Sequence, residues 1–351
     1  MIKTVILLSF GLFLCPLYAE EAEPYKRTFH FEIKALDAKS VVLAGRIGTE
    51  PEQQIPMRKT RGGDWFVNAE LVPGRLEYVF LVDGKPILDE LSPSEEDGQG
   101  GKRSYFFIDD DREAKPSEQG PKGKLELKKI KSAALAANIP VNVYTPPGFS
   151  RKSKYPVLFL LHGYQMNEQQ WVTGGIVNYL DRYIGSKELP PMIVVMPGVP
   201  SEFYMGTTED FFVKDLVPWI AKSYPVVKGK AKFAIGGMSM GGFGAFYLTY
   251  RHPDLFGHSM ILSPGALDQK FLDQLEAELA GGKRVETPLD IRCGKGDKLV
   301  IGFAERLHAI LEANKVTHRW EVTRGEHDWD YWRSVMKSAL LPVGQFFRKE
   351  G

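Results

Sequence analysis

The sequence predicts two modules in series: a small all-β sandwich, then a larger α/β domain built on a mostly parallel sheet. Three observations carry this expectation. Residues 27–109 alternate apolar and polar side chains in short segments between turns, residues 109–123 lose all apolar periodicity, and from 124 onward continuous apolar runs alternate with longer helical patterns. Short alternating segments are half-buried strands of a sandwich, whereas apolar strands alternating with helices are βαβ units whose sheet is covered on both faces. A length of 351 residues suits two modules, at roughly 100 to 200 residues each.

The first element precedes both modules. Met1-Ile2-Lys3 leads into an apolar run from Val5 to Leu17, followed by Tyr18-Ala19 and then Glu20-Glu21. A basic start, a short apolar core and a small residue at a cut site make residues 1–19 a secretory signal, with cleavage expected after Ala19 and a periplasmic or secreted destination. The run falls short of the roughly 20 apolar residues that span a bilayer, so no membrane association is expected after its removal. Cys15 leaves with the signal. Cys293 is then the single thiol, excluding an internal disulfide, and its apolar run makes it a buried small hydrophobe. With 43% hydrophobic and 25% charged residues and a net charge of +1, the chain is globular and presents no field for nucleic acid or an anionic surface.

The β module is expected over residues 24–111, with strands at 28–33, 40–44, 65–69, 77–82 and 103–108. Arg61-Gly62-Gly63-Asp64, Pro73-Gly74 and Asp83-Gly84 supply the turns. Residues 112–123, charged and rich in Pro and Gly, read as a linker. Over 124–351 the strands fall at 157–161, 192–196, 232–236, 289–293 and 320–323, and helices at 176–184, 211–223, 243–252, 269–280 and 301–314.

The chemistry starts where strand 232–236 runs into Gly237-Met238-Ser239-Met240-Gly241 and a helix. G-x-S-x-G between a buried strand and a helix sets its serine on a sharp turn at the carboxyl edge of the sheet, the nucleophile elbow of an α/β-hydrolase fold. A serine needs a base within hydrogen-bond reach and a third group to orient that base. In this fold the order is serine, acid, histidine. Asp297 follows strand 289–293 in Gly294-Lys295-Gly296-Asp297, and His327 follows strand 320–323 in Arg324-Gly325-Glu326-His327. Asp290 lies inside a strand, Asp328 adjoins the base, and His30, His252, His258, His308 and His318 are placed for structural or solvent-facing roles. The oxyanion of an acyl-transfer intermediate takes the backbone N–H after the nucleophile, Met240, and one from the loop after strand 157–161. That loop reads His162-Gly163-Tyr164, so Tyr164 is the second expected donor and His162 shapes the loop. No His or Cys cluster has metal-ligand spacing, and neither metal nor cofactor is expected.

These residues together resemble the esterase D and feruloyl esterase group of α/β hydrolases, which includes acetyl xylan esterases, S-formylglutathione hydrolases, mycolyltransferases and enterochelin esterases. The resemblance runs through Val143-Tyr144-Thr145-Pro146-Pro147-Gly148, Tyr155-Pro156-Val157 through His162-Gly163, Met196-Pro197-Gly198, Gly237 to Ala245, His252-Pro253-Asp254-Leu255-Phe256 and His327-Asp328-Trp329 through Trp332. It covers most of residues 124–351 and implies a serine carboxylic-ester hydrolase acting on carbohydrate-linked feruloyl or acetyl esters. The N-terminal region resembles immunoglobulin-like early-set modules related to glycogen-binding domains, through Gly63-Asp64-Trp65, Pro73-Gly74 and Tyr78 to Gly84 with Asp89. Sugar-binding relatives place an aromatic after the Ala44-Gly45 strand where this chain has Gly48-Thr49-Glu50, so a structural or access-shaping role is expected.

Trp171, Trp329 and Tyr331 lie on segments placed to frame a cleft, where aromatic faces suit a phenolic acid or a sugar ring. Phe203 and Tyr204 lie on another such segment. Two other readings remain. An enterochelin esterase also carries a β module before its hydrolase, and would be marked by a basic cleft. A non-catalytic binding protein on the same scaffold would have no need for Ser239, Asp297 and His327 together.

Overall fold

Side chains along the first strands alternate between core and solvent, as one-sided sheets require. The computed structural model describes residues 25–349 apart from 99, 109, 117–118, 201–202, 228, 230–232 and 267–269, so the expected signal at 1–19 lies outside the described residues. The N-terminal part holds β1 (Arg27–Lys34), β2 (Val41–Ile47), β3 (Gln53–Pro56), β4 (Arg58–Lys59), β5 (Asp64–Leu71), β6 (Gly74–Val82), β7 (Lys85–Ile87), β8 (Ser94–Glu96) and β9 (Lys102–Ile108). They form two antiparallel sheets, β1-β5-β4 and β3-β2-β6-β9-β8, with β7 beside β6. Phe31 and Trp65 from the first sheet share one buried core with Leu43, Tyr78, Phe80 and Phe106 from the second. Apolar faces from both sheets thus close on each other.

The second sheet system has β10 (Lys124–Ser132), β11 (Ala137–Thr145), β12 (Val157–Leu161), β13 (Ile193–Pro197), β14 (Phe233–Met238), β15 (His258–Leu262), β16 (Leu289–Gly294) and β17 (His318–Thr323). Their order is β10-β11-β13-β12-β14-β15-β16-β17; the last six are mutually parallel, and β10-β11 is an antiparallel hairpin on the edge. The helices are α1 (Gln170–Thr173), α2 (Ile176–Gly185), α3 (Thr207–Asp210), α4 (Val217–Ser223), α5 (Met240–Arg251), α6 (Lys270–Ala280), α7 (Ile301–Ala313) and α8 (Trp329–Lys349). Phe159, Ile235 and Ile261 share a core with α5, α6 and α7, while Leu158, Leu160 and Leu262 share the opposite one with α2 and α8. Both faces of the sheet are covered, which is why β12 to β16 are buried along their whole length and β12 to β14 are apolar throughout. From β12 the chain crosses to β13 on one side and returns to β14 on the other. That reversal opens a crevice at the carboxyl ends of β12 and β14.

Several elements differ from the sequence expectation. The hairpin β10-β11 is absent from it because β10 is a lysine-rich edge strand whose alternation hides among charges. α8 runs through Pro342, a residue that ordinarily ends a helix. The first part of the stretch read as a linker is docked on α2, where Asn178 Nδ2 donates to Ala114 O at 2.6 Å and the Tyr183 hydroxyl donates to the Glu113 carboxylate. Cys293 is fully buried, and burial pushes its thiol up. Among the described residues no helix is long and apolar enough to cross a membrane.

A buried charge sits under the sheet. Arg292 forks onto Asp290 at 3.0 and 3.1 Å and also reaches Glu321 at 3.0 Å and the Ser338 carbonyl at 2.9 Å. His258 on neighbouring β15 stacks on Phe346 with its Nε2 buried and without a partner, and burial, aided by the Arg292 charge, pushes its pKa down from 6.5 to about 4. The folded chain therefore keeps this ring neutral where the unfolded chain protonates it. Its contribution to stability is full above the unfolded value and is lost as pH falls from 6.5 to about 4, by an amount on the order of 3 kcal/mol. Urea melts at neutral pH and at about pH 4.5 should show a smaller acid loss for His258→Gln than for wild type.

Candidate active site

β14 ends in the elbow. Ser239 has φ 57° and ψ −123°, a conformation that side-chain-bearing residues rarely adopt and that costs roughly 1 to 3 kcal/mol. Its N–H donates to Leu262 O at 3.0 Å, and its carbonyl accepts from Phe243 N–H at 3.0 Å and Gly265 N–H at 3.3 Å. The glycines make room. A Cβ on Gly237 would lie 2.1 Å from Gly241 O, and one on Gly241 would lie 2.2 Å from Leu161 O. β14, the start of α5 and the end of β12 are thus in backbone contact around the serine.

The loops after β16 and β17 bring two further side chains to it. His327 Nε2 lies 2.9 Å from Ser239 Oγ, and His327 Nδ1 lies 2.7 Å from Asp297 Oδ2. The carboxylate can only accept, so Nδ1 carries the proton and Nε2 is left to accept from the serine hydroxyl. Asp297 is 1% exposed and its Oδ1 also accepts from Val300 N–H at 3.2 Å. Main-chain bonds tie the two loops together: Lys295 N–H to Thr323 O at 2.7 Å and Gly296 N–H to Gly325 O at 2.9 Å. Trp332 stands edge-on to His327 at 5.2 Å, with its indole N–H donating to Ser263 Oγ at 3.2 Å. These ties were not foreseen from the sequence, since they depend on the pairing of β16 with β17.

Met240 is the first residue of α5, where a backbone N–H has no intrahelical acceptor and the helix dipole is positive. Across from it, the loop after β12 borders the serine: a Cβ on Gly163 would lie 3.6 Å from Ser239 Cβ. The Gly163 N–H is taken by Gln170 Oε1 at 2.6 Å, leaving the Tyr164 N–H as the next donor along the loop. His162 is buried beneath. Its Nε2 accepts from Val199 N–H at 3.1 Å and its Nδ1 donates to Gly163 O at 2.8 Å, and burial lowers its pKa. The Tyr204 hydroxyl donates to His162 O at 3.1 Å. His162 thus shapes this loop.

The expected cleft aromatics divide. Trp171 is 1% exposed and donates its indole N–H to Leu161 O at 3.0 Å, while Tyr331 is 2% exposed under Gly325, where a Cβ would lie 2.3 Å from its ring. Both face the core and brace the loops from behind, so neither presents a face to a ligand. Trp329 is partly buried, edge-on to Trp171 at 6.1 Å and packed against Gly174, where a Cβ would lie 1.9 Å from its ring. The aromatic that does face outward is Tyr164, 47% exposed and stacked on Phe203 at 6.0 Å. Met166 and Met205, on the same two loops, are exposed as well.

A serine on a strained strand-to-helix turn, linked through a histidine to a buried carboxylate at the crevice of such a sheet, defines an α/β hydrolase. The chain belongs to the Esterase family, whose model matches residues 132–342. It is 31% identical over 270 residues to an endo-1,4-beta-xylanase/feruloyl esterase of Xylanibacter ruminicola, over 70% of this chain and 35% of that one. The chain thus spans about a third of that relative's length. An acetyl esterase of Caldicellulosiruptor saccharolyticus is 23% identical over 223 residues, which is 52% of this chain and 81% of that one. Among solved structures, a ferulic acid esterase superposes with a TM-score of 0.57 at 24% identity, over 65% of this chain and 100% of that one. The enterobactin esterase of Shigella flexneri superposes with a TM-score of 0.56 at 19% identity, over 91% of this chain and 92% of that one. These two likenesses show the fold.

Gly241→Ala drives a methyl group into the Leu161 carbonyl, which cannot move without breaking β12 from its place. Chemical denaturation should register a loss of about 3 kcal/mol or more, and Ser239 should no longer be labelled by serine-directed reagents at the wild-type rate.

Proposed function

We propose that the chain is an exported serine esterase that releases feruloyl or acetyl groups from plant cell-wall polysaccharide through an acyl-enzyme on Ser239. The observation that carries the chemistry is the hydrogen-bonded line from Ser239 Oγ through His327 to Asp297. The choice of substrate is supported by relatives named as a xylanase/feruloyl esterase and an acetyl esterase, and by the exposed Tyr164 stacked on the partly buried Phe203, whose rings suit a phenolic acyl group. Residues 24–111 are read as an immunoglobulin-like module that shapes access to the site, a reading supported by the two closed antiparallel sheets.

In the first half-reaction Ser239 Oγ bonds to the ester carbonyl carbon while its proton passes to His327 Nε2. Asp297 stabilises the imidazolium that forms and holds its ring plane. The carbonyl oxygen becomes an oxyanion in reach of the Met240 and Tyr164 N–H groups. Collapse breaks the bond to the alcohol oxygen, which leaves with the proton from His327. Water then repeats the sequence on the acyl-enzyme, giving its proton to His327 and releasing the acid, and the proton returns to Ser239.

An enterobactin esterase is the second reading, favoured by one observation: the Shigella flexneri enzyme aligns across 91% of this chain, through both the β unit and the hydrolase part. The two readings separate on substrates. Initial rates on methyl ferulate, feruloylated arabinoxylan, acetylated xylan and ferric enterobactin should be highest for a polysaccharide ester. A preference for the siderophore would select the second reading instead. Ser239→Ala and His327→Ala should each lower kcat by roughly a hundred-thousand-fold or more, and Asp297→Asn by about ten-thousand-fold. Equal rates for wild type and Ser239→Ala on every ester would leave a binding role as the better reading.

A further inference from the structure

Arg324 lies three residues before His327, yet its side chain leaves the hydrolase part entirely. Its guanidinium enters the N-terminal β unit, where Nη1 donates to Asp89 Oδ2 and lies 3.4 Å from the Tyr78 hydroxyl, while Nη2 donates to the His30 carbonyl at 2.6 Å. Its Cζ sits 4.7 Å over the Phe31 ring. The receiving site is built in advance. Asp89 is 6% exposed, accepts from the Tyr78 hydroxyl, takes the Leu91 N–H on Oδ1 at 2.9 Å, and gives its own N–H to Ser104 Oγ at 2.8 Å. A rigid fork with several donors suits such a cage far better than a lysine would.

The main chain around Arg324 is bound in the other direction. Thr323 O and Gly325 O, on either side of it, accept the Lys295 and Gly296 N–H groups of the Asp297 loop. Between this point and His327 stands Gly325 at φ 152°, a residue with little conformational preference of its own. A histidine on such a loop keeps its line to Ser239 only if the loop's root is fixed, since productive geometry tolerates shifts of about 0.5 Å.

We propose that the N-terminal β unit holds His327 in register for catalysis through Arg324, which acts as a positioning residue and does not touch the substrate. This rests on the Ser239–His327–Asp297 reading given above. The socket formed by Asp89, Tyr78 and the His30 carbonyl then supports the His327 loop, whether or not the β unit binds carbohydrate.

The test uses the full chain with p-nitrophenyl acetate, a substrate too small to reach the β unit, and records kcat, KM and melting temperature together. The variants are Arg324→Lys, the double variant Arg324→Met with Asp89→Leu, which removes both charges so that neither is left buried alone, and Arg46→Met. The last breaks an ion pair with Glu77 that lies wholly within the β unit. The double variant should lose about tenfold to a hundredfold in kcat with KM changed by less than about twofold. Arg324→Lys should recover part of that loss, and Arg46→Met should keep wild-type kcat. A wild-type kcat in folded Arg324→Lys and double variants, whatever their melting temperatures, would overturn the proposal and reduce Arg324 to an adhesive contact. A fall in kcat for Arg46→Met as large as for the double variant would overturn it too. Should Ser239→Ala hydrolyse the ester as fast as wild type, the catalytic reading itself fails and this inference falls with it.

Discussion

The site depends on a serine held in a backbone conformation it would not choose. At φ 57° Ser239 is strained, and it stays there because three backbone hydrogen bonds and two close backbone crossings leave no alternative. Those crossings require that Gly237 and Gly241 have no side chains, and they require β12, β14 and β15 to lie side by side. Parallel pairing of these strands is stabilised by the apolar layers on both faces of the sheet. The strain at one residue is thus sustained by the packing of the whole domain.

The histidine and the carboxylate are positioned by the same economy. Asp297 and His327 leave the ends of β16 and β17, which are adjacent and in register from Leu289 with His318 to Gly294 with Thr323. Adjacent parallel strands release their loops at the same edge, so two residues thirty positions apart in sequence meet at 2.7 Å. The far side of the His327 loop is braced by Trp332, Tyr331 and the Arg324 anchor in the β unit. The N-terminal sheets therefore meet the His327 loop through a charged, part-buried contact that is costly to break from one side only.

Much of this was legible in the sequence, for identifiable reasons. Buried parallel strands are continuous apolar runs, so 157–161 and 289–293 could be read almost to the residue, and the elbow is a local motif whose neighbours identify it. Chain order then singled out the acid and the base that meet the serine in space. The aromatics were less legible. Trp171 sits on the short α1 and Tyr331 in the first turn of the long α8, and which face of each turns inward depends on how the helix lies on the sheet, a tertiary fact. Arg324 gave no signal at all, since its carboxylate partner is 235 residues away and in another sheet system.

The central claim is that one serine, activated by His327, carries the acyl group. A fluorophosphonate reagent tests it directly, because an activated serine displaces fluoride and forms a stable bond to phosphorus. Peptide mass spectrometry should find a single phosphonyl group per chain on the segment bearing Ser239, with ester hydrolysis lost in proportion to labelling and neither labelling nor hydrolysis in Ser239→Ala. Full hydrolytic activity in a chain labelled to completion at Ser239, or labelling that settles on another residue as activity disappears, would contradict it.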